Sequence, residues 1–267
     1  MRKHIKSPLK WAGSKAKSLD FILDAIPIKP KRFIEPFAGS AVVSFNIEAD
    51  EYLVADINKD VINFFNTLKE YKLEFIDYCK QLFINGNVKD VYYYNRKIFN
   101  GLEFDYYRAA LFLYLNRHCF NGLCRYNSKN EFNVPFGKYK NVYFPEKEML
   151  FLVNNIDKYI FKCQAFDVTF KEHTESDVIY CDPPYLPLTE TSNFTDYTSG
   201  GFTFKMHEQL VKLAEESTAL ILISNHWLPG ITDVLYKNGD VSRRIITCRY
   251  ISAYGRPKVE EVLVIYN

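Results

Sequence analysis

Val178-Ile179-Tyr180-Cys181-Asp182-Pro183-Pro184-Tyr185 is an apolar run that ends in a carboxylate, two prolines and a ring, and a long polar stretch follows it. It reads as a buried strand whose C-terminal end carries a rigid acidic turn. Asp182 can accept a hydrogen bond from an amino group. The prolines, with fixed φ and no backbone donor, can hold the Pro183 carbonyl as a second acceptor while Tyr185 stacks on a flat ring. Two acceptors on one exocyclic amine leave nitrogen electron density free to attack an electrophile. A strand that merely ends in a proline turn would carry the same four residues.

Upstream, Pro8-Leu9-Lys10-Trp11-Ala12-Gly13-Ser14-Lys15 sets small residues between two lysines and a tryptophan. Such a loop lets backbone approach a ligand while Trp11 covers an aromatic face and Lys15 meets a carboxylate; a helix-entry turn with solvated lysines is the plainer reading. Leu19, Ile22, Leu23 and Ile26 then recur at helical spacing until Pro27. Phe33-Ile34-Glu35-Pro36-Phe37-Ala38-Gly39-Ser40-Ala41 predicts a strand, a glycine turn and a helix start, and Asp56 closes a second short strand, Tyr52 to Ala55. A small-residue turn followed by an acid at the next strand end is the spacing of a nucleotide site whose carboxylate binds ribose hydroxyls. No G-x-G-x-x-G is present, and Glu35-Pro36 puts negative charge where a pyrophosphate would sit. A cationic nucleoside without phosphate, such as S-adenosylmethionine, suits both departures better than NAD. An ordinary βαβ turn remains open at this point.

From Asn58 to about Lys162 the α/β rhythm gives way to helical periodicity, in Val61 to Leu68, Phe75 to Phe83 and Tyr107 to Leu115. The second half of this stretch is locally basic: Arg117, Arg125, Lys129, Lys138 and Lys140 stand against Glu131, among Phe120, Tyr126, Phe132, Phe136, Tyr139 and Tyr143. Polar residues at Asn127-Ser128-Lys129-Asn130 predict a hairpin turn. Arginine and stackable rings on a hairpin suit groove contacts and wedging into a base stack, although a solvated loop over an aromatic satellite core would look similar. Tyr159 to Cys163 restores strand character, a polar loop runs to Asp177, and Leu186 to Gly201 is a long Thr/Ser/Asn/Gly-rich loop of the kind that serves as a lid. Phe204 to Ser217 is helical, Ala219 to Ser224 is a buried strand ending at Asn225-His226, and Val241 to Ile251 with Val259 to Tyr266 form a closing hairpin with a basic tip. His226 reads as a strand-end polar residue rather than a base.

At 267 residues and 48% hydrophobic the chain can bury a large core, and a net charge of +2 does not by itself mark a nucleic-acid binder. The six cysteines (Cys79, Cys119, Cys124, Cys163, Cys181, Cys248) include no CxxC pair and no zinc-like grouping. They are expected as reduced thiols, most of them core fillers, in a cytoplasmic protein without a signal peptide, and no metal site is expected. No apolar run approaches the roughly 18 residues of a membrane span.

Taken together, Lys10-Trp11-Ala12-Gly13-x-Lys15, Glu35-Pro36-Phe37-Ala38-Gly39, Ala55-Asp56-Ile57-Asn58 and Asp182-Pro183-Pro184-Tyr185 resemble, in that order, the alpha group of amino-methyltransferases acting on DNA adenine. Leu113 to Arg117, Asn121 to Asn127 and Glu131 to Gly137 are similar to the Dam family within it, which acts on GATC. The resemblance covers nearly the whole chain, including Asn193-Phe194-Thr195 and Ile223 to His226.

It implies an α/β fold: a Rossmann-like, S-adenosylmethionine-dependent methyltransferase sheet from residues 1–57 and 160–267. A mainly helical DNA-recognition insertion, residues 58–159, would carry a hairpin at about 118–139. The implied partner is double-stranded DNA, bound as a monomer or weak dimer. S-adenosylmethionine would be held by Trp11, Ala12, Gly13, Lys15, Glu35, Phe37, Gly39, Asp56 and Asp182, with Trp11 stacked on its adenine. Catalysis would fall to Asp182, Pro183, Pro184 and Tyr185. DNA contacts would come from Lys10, Phe120, Asn121, Leu123, Arg125, Asn133, Pro135, Lys138 and Tyr139. Arg125 would read a guanine edge, Leu123 and Pro135 would touch the inner pairs, and Asn121 with Phe120 would enter the helix where the target adenine leaves.

Three features depart from the family pattern. Phe120 replaces a tyrosine, Lys138 replaces a phosphate-binding arginine, and the hairpin tip Ala253-Tyr254-Gly255 differs most. Rival readings are an RNA-adenine or protein-glutamine amide methyltransferase, and a DNA-binding homologue without activity. The reader hairpin argues against RNA, whose deep, narrow major groove admits no such element.

Overall fold

The computed structural model describes residues 4–27, 29–186, 201–247 and 258–267. In chain order the main elements are α1 (Leu19–Asp24), β1 (Arg32–Glu35), β2 (Glu51–Asp56), α2 (Lys59–Phe83), α3 (Lys89–Gly101), α4 (Tyr106–His118) and α5 (Glu146–Val153). There follow β3 (Tyr159–Cys163), α6 (Phe166–Phe170), β4 (Asp177–Cys181), α7 (Phe204–Glu215), β5 (Leu220–His226), α8 (Thr232–Leu235), β6 (Asp240–Thr247) and β7 (Lys258–Tyr266).

The strands form one sheet in the order β3-β2-β1-β4-β5-β7-β6. β1 to β5 pair parallel and β7 runs antiparallel to both its neighbours. The central strands are apolar on both faces because both faces are covered. Phe33, Val54 and Tyr180 face one cluster, and Ile34, Leu53, Ile179 and Ile221 face another with α6, α7 and α8. From β1 the chain winds outward to β2, whereas its other neighbour, β4, leads to β5. The carboxyl ends of β1 and β4 therefore border the crevice where open α/β sheets bind ligands.

Between β2 and β3 the chain leaves the sheet for α2 to α5. Asn58 caps α2 by accepting from the Asp60 and Val61 amides. Lys72, at φ +48°, breaks α2 into two segments, which is why two separate apolar stretches are visible in the sequence. α4 is buried on every side from Arg108 to His118. A single apolar cluster runs from Phe33 and Val54 of the sheet through Phe65 of α2 to Phe112 of α4, so the helical segment shares its core with the sheet.

Several expectations need correction. The predicted helix start after Gly39 is a run of turns, with Ala41 at φ +55°. Its cause is Glu35, whose carboxylate takes both the amide and the hydroxyl of Ser44 and draws this segment onto the end of β1. The loop expected between β3 and β4 contains α6. α3 was not foreseen: only Tyr92 and Phe99 are buried in it, too few to register as a period. The short α5 and α8 were missed as well. The predicted hairpin forms, with antiparallel bridges at Cys119–Phe136 and Tyr126–Phe132. Two of its supposedly stackable rings do not face outward, because Phe132 is buried and Tyr126 is mostly so. The stretch 187–200, with Asn193-Phe194-Thr195, lies outside the described residues. So do Cys248, the end of the predicted strand up to Ile251, and most of the closing tip. Among the described residues no helix is long and apolar enough to cross a membrane.

Candidate active site

Asp182 follows directly on β4, beside the end of β1, and its carboxylate is engaged by the chain itself. Lys15 Nζ lies 2.9 Å from Asp182 Oδ1 and 3.7 Å from Glu261 Oε1, and it also donates to the Gly13 carbonyl at 3.1 Å. The same ammonium stands 4.4 Å from the centre of the Tyr185 ring. Within the protein itself Lys15 thus meets two carboxylates. Tyr185 donates its hydroxyl to Glu261 at 3.2 Å, and its ring meets His226 edge-on at 4.7 Å. His226 Nδ1 is occupied by the Leu186 carbonyl at 3.0 Å, and burial pushes its pKa down, so it acts as a neutral buttress. Burial raises the Asp182 carboxyl above the ordinary range, and the Lys15 charge opposes that rise. Burial, reinforced by the charges of Asp182 and Glu261, pushes the Tyr185 phenol well up, which keeps it a donor. Pro183 is buried and Pro184 exposed, as a rigid turn out of a buried strand requires.

A second group lies at the ends of β1 and β2. Asp56 accepts from the Gly39 amide (2.8 Å) through one oxygen and from the Asn58 amide (2.8 Å) through the other. Burial raises its pKa and these amides oppose the rise. Gly39 has φ +48°, and a Cβ there would collide with the Trp11 indole. The turn must therefore be glycine for Trp11 to lie against it. Phe37 stacks on Phe166 at 5.3 Å and meets Phe202 edge-on at 5.4 Å. Glu35 is fully buried, its carboxyl pushed up to about 8 by desolvation. One of its oxygens, Oε2, accepts from both the amide and the hydroxyl of Ser44. Ala12 and Gly13 are exposed on the Trp11 loop.

The hairpin is joined to this crevice through Lys10. The Lys10 backbone exchanges two hydrogen bonds with the Asn116 side chain, at 2.7 and 2.8 Å. Its ammonium donates to the Arg117 carbonyl at 3.3 Å and lies 4.2 Å from the Tyr139 ring centre. A Cβ on Gly122, at φ +65°, would strike the Lys10 side chain. The arms of the hairpin are rooted in α2, α3 and α4. Tyr126 donates to Asp60 at 2.6 Å, Asp60 pairs with Arg108 at 2.6 Å, and Tyr92 and Arg96 both donate to the Val134 carbonyl. Asn100 holds Phe132 from both sides, accepting from its amide and donating to its carbonyl.

Exposed above these roots are Phe120, Asn121, Arg125, Pro135 and Lys138; Leu123 and Asn133 are half-buried. Asn121 sits at φ +56° and Lys138 at φ +53°. Asn133 Oδ1 accepts from Arg125 Nε at 2.8 Å, which fixes the guanidinium while both of its Nη groups make no protein hydrogen bond among the described residues. Sequence reasoning missed Glu261, Ser18, Asn116 and the Asp60–Arg108 pair. The one available signal for Glu261 was an acid inside the apolar strand Val259 to Tyr266, and its neighbour Glu260 made the inward face undecidable.

A protein-family model described as D12 class N6 adenine-specific DNA methyltransferase matches residues 11–245. The chain belongs to this family. It is 43% identical over 267 residues to a DNA adenine methylase of Haemophilus influenzae, covering 97% of this chain and 93% of that protein. DNA adenine methylases of Vibrio cholerae (41% over 266 residues; 97% and 95%) and Escherichia coli K12 (40% over 265 residues; 97% and 94%) are similar over the same span. This D12-class enzyme therefore methylates adenine N6 in DNA, on the mixed seven-stranded sheet of a methyltransferase-like fold. The inactive-homologue, RNA and protein-amide readings fall with that result.

Proposed function

We propose that the enzyme transfers the methyl group of S-adenosylmethionine to the adenine of GATC in double-stranded DNA, flipping the target base into the crevice at the end of β4. The observation that carries this reading is the placement of Asp182-Pro183-Pro184-Tyr185 beside the Asp56/Gly39/Trp11 turn, with Lys10 tying that turn to the hairpin. The donor set fits a cationic nucleoside. Asp182 and Glu261 share a single ammonium, Lys15, Asp56 is met only by backbone amides, and no glycine-rich phosphate cradle accompanies them. Asp56 would hold ribose hydroxyls, and Trp11 would cover the nucleoside base.

S-adenosylmethionine, when bound, supplies an electrophilic methyl group. Asp182 and the Pro183 carbonyl accept the two N6 hydrogens of the target adenine and fix the nitrogen lone pair toward that methyl. Lys15 covers one face of Tyr185, so the flipped base stacks on the other. Positioning and exclusion of water supply most of the acceleration. N6 sheds a proton after transfer, and Asp182, whose affinity for protons burial has raised, is placed to hold it. Flipping costs a few kcal/mol of unstacking, offset by Phe120 and Asn121 entering the stack. Arg125, oriented by Asn133, reads an outer guanine through O6 and N7, Leu123 and Pro135 touch the inner pairs, and Lys138 and Tyr139 meet the backbone.

The test is to incubate the protein and S-adenosylmethionine with a random-sequence duplex library and sequence the modified bases. N6-methyladenine confined to GATC supports the proposal. N6-methyladenine in another context would overturn the assigned site.

A further inference from the structure

Glu261, in β7, is assigned no role in the transfer steps above, yet it touches Tyr185, Lys15 and Ser18. It is only 7% exposed. One carboxylate oxygen accepts from the Tyr185 hydroxyl at 3.2 Å and lies 3.7 Å from Lys15 Nζ; the other accepts from Ser18 Oγ at 3.0 Å. A carboxylate is expensive to bury unless its lone pairs are met, and here hydroxyls and an ammonium meet them. The arrangement sets one ammonium between two carboxylates, because Lys15 also lies 2.9 Å from Asp182. Burial pushes the nearby Glu35 carboxyl up to about 8, which favours its neutral form at neutral pH.

Without Glu261, the Lys15–Asp182 pair would be neutral overall, and the Lys15 ammonium would repel any cation brought to Asp182. With it, the cluster holds two negative charges and one positive, an excess that matches one bound cation. The hydrogen bond to Tyr185 and the pull on Lys15 also fix the ring and its cationic neighbour.

We propose that Glu261 is a positioning residue for methyl transfer: it anchors Lys15 and Tyr185 and supplies the uncompensated negative charge that lets the sulfonium of S-adenosylmethionine approach Asp182. The inference rests on the crevice being the methyl-transfer site. It distinguishes the sulfonium substrate from its neutral thioether product, S-adenosylhomocysteine, which needs no such charge.

Calorimetric binding of both compounds without DNA, to wild type, Glu261→Gln and Glu261→Asp, tests it, with thermal melting as a check on folding. Glu261→Gln is expected to weaken S-adenosylmethionine by about tenfold or more, the order of one unit charge a few ångströms away in a partly buried site, and S-adenosylhomocysteine by no more than about twofold. Glu261→Asp, which keeps the charge on a shorter arm, is expected to restore most of the wild-type ratio between the two affinities even if both weaken. Equal losses for both compounds in Glu261→Gln, or no loss for either, would overturn the proposal. Failure of the crevice reading would look different: Asp182→Ala would keep wild-type turnover and binding in the same assays.

Discussion

The crevice at the end of the sheet and the hairpin on the helical segment are built in opposite ways. In the crevice the functional groups are themselves the buried ones: Lys15, Glu35 and Glu261 are nearly inaccessible, and the carboxylates of Asp56 and Asp182 are already engaged by an amide or an ammonium. Beneath and within the hairpin the buried groups are roots, namely Asp60, Arg108, Phe132 and Val134, while Phe120, Asn121, Arg125, Pro135 and Lys138, all assigned to DNA, stand in solvent and Lys10, Leu123, Asn133 and Tyr139 are half-buried. Chemistry on a charged reaction coordinate gains from groups fixed before the substrate arrives, in a site with little water. Reading a sequence requires donors that reach out of the protein, and rigidity has to come from beneath them. The shared element is Lys10, whose neighbour Trp11 belongs to one region while its own contacts belong to the other.

The comparison can be broken at either region. The largest effect is expected from Asp182→Ala, which should lower methyl transfer by about a thousandfold or more, in the range of losing a preorganised electrostatic group, and leave the melting temperature nearly intact. Near-wild-type turnover would remove Asp182 from the chemistry. Next in size, Asp60→Ala strands the Arg108 guanidinium and the Tyr126 hydroxyl, and should cost about 3–5 kcal/mol in urea unfolding. A loss near zero would mean that the hairpin is not held from below. The buried Glu35 gives a pH signature. Its folded carboxyl, raised from 4.5 to about 8, keeps a proton that the unfolded chain has released. Stability should therefore fall as pH rises from about 4.5 to about 8, and Glu35→Gln should flatten that fall in melts taken across the range. The smallest change belongs to the hairpin surface: Lys138→Ala should weaken all duplexes alike and make the salt dependence shallower by about one unit of log–log slope. A changed base preference in that variant would make Lys138 a reader.

The sheet was legible because its strands are short apolar runs that end at chemically distinctive turns; β3, β4 and β5 are visible within a residue or two. The Asp182, Asp56 and Trp11 turns declare themselves through local patterns of proline, glycine and acid. What escaped are partnerships across distance. Glu261 meets Lys15 only because β7 inserts between β5 and β6, and Asn116 meets Lys10 only because α4 packs against the N-terminal loop. The turns after Gly39 were misread as a helix because Glu35 overrides local propensity by capturing Ser44. Tyr126 and Phe132 were taken for stacking rings because spacing alone cannot tell a hairpin's core-facing residues from its tip.

The division between chemistry beneath and reading above is tested most directly by the initial-rate ratio between a GATC duplex and the same duplex with one outer guanine replaced, measured for wild type and Arg125→Ala at subsaturating DNA. A bidentate guanine contact discriminates by about 1–3 kcal/mol. The ratio should therefore collapse toward unity by roughly one to two powers of ten at one outer guanine, with adenine N6 still the atom methylated. A uniform slowing of every duplex, with the ratio unchanged, would contradict the account and place Arg125 among the groups that merely hold DNA.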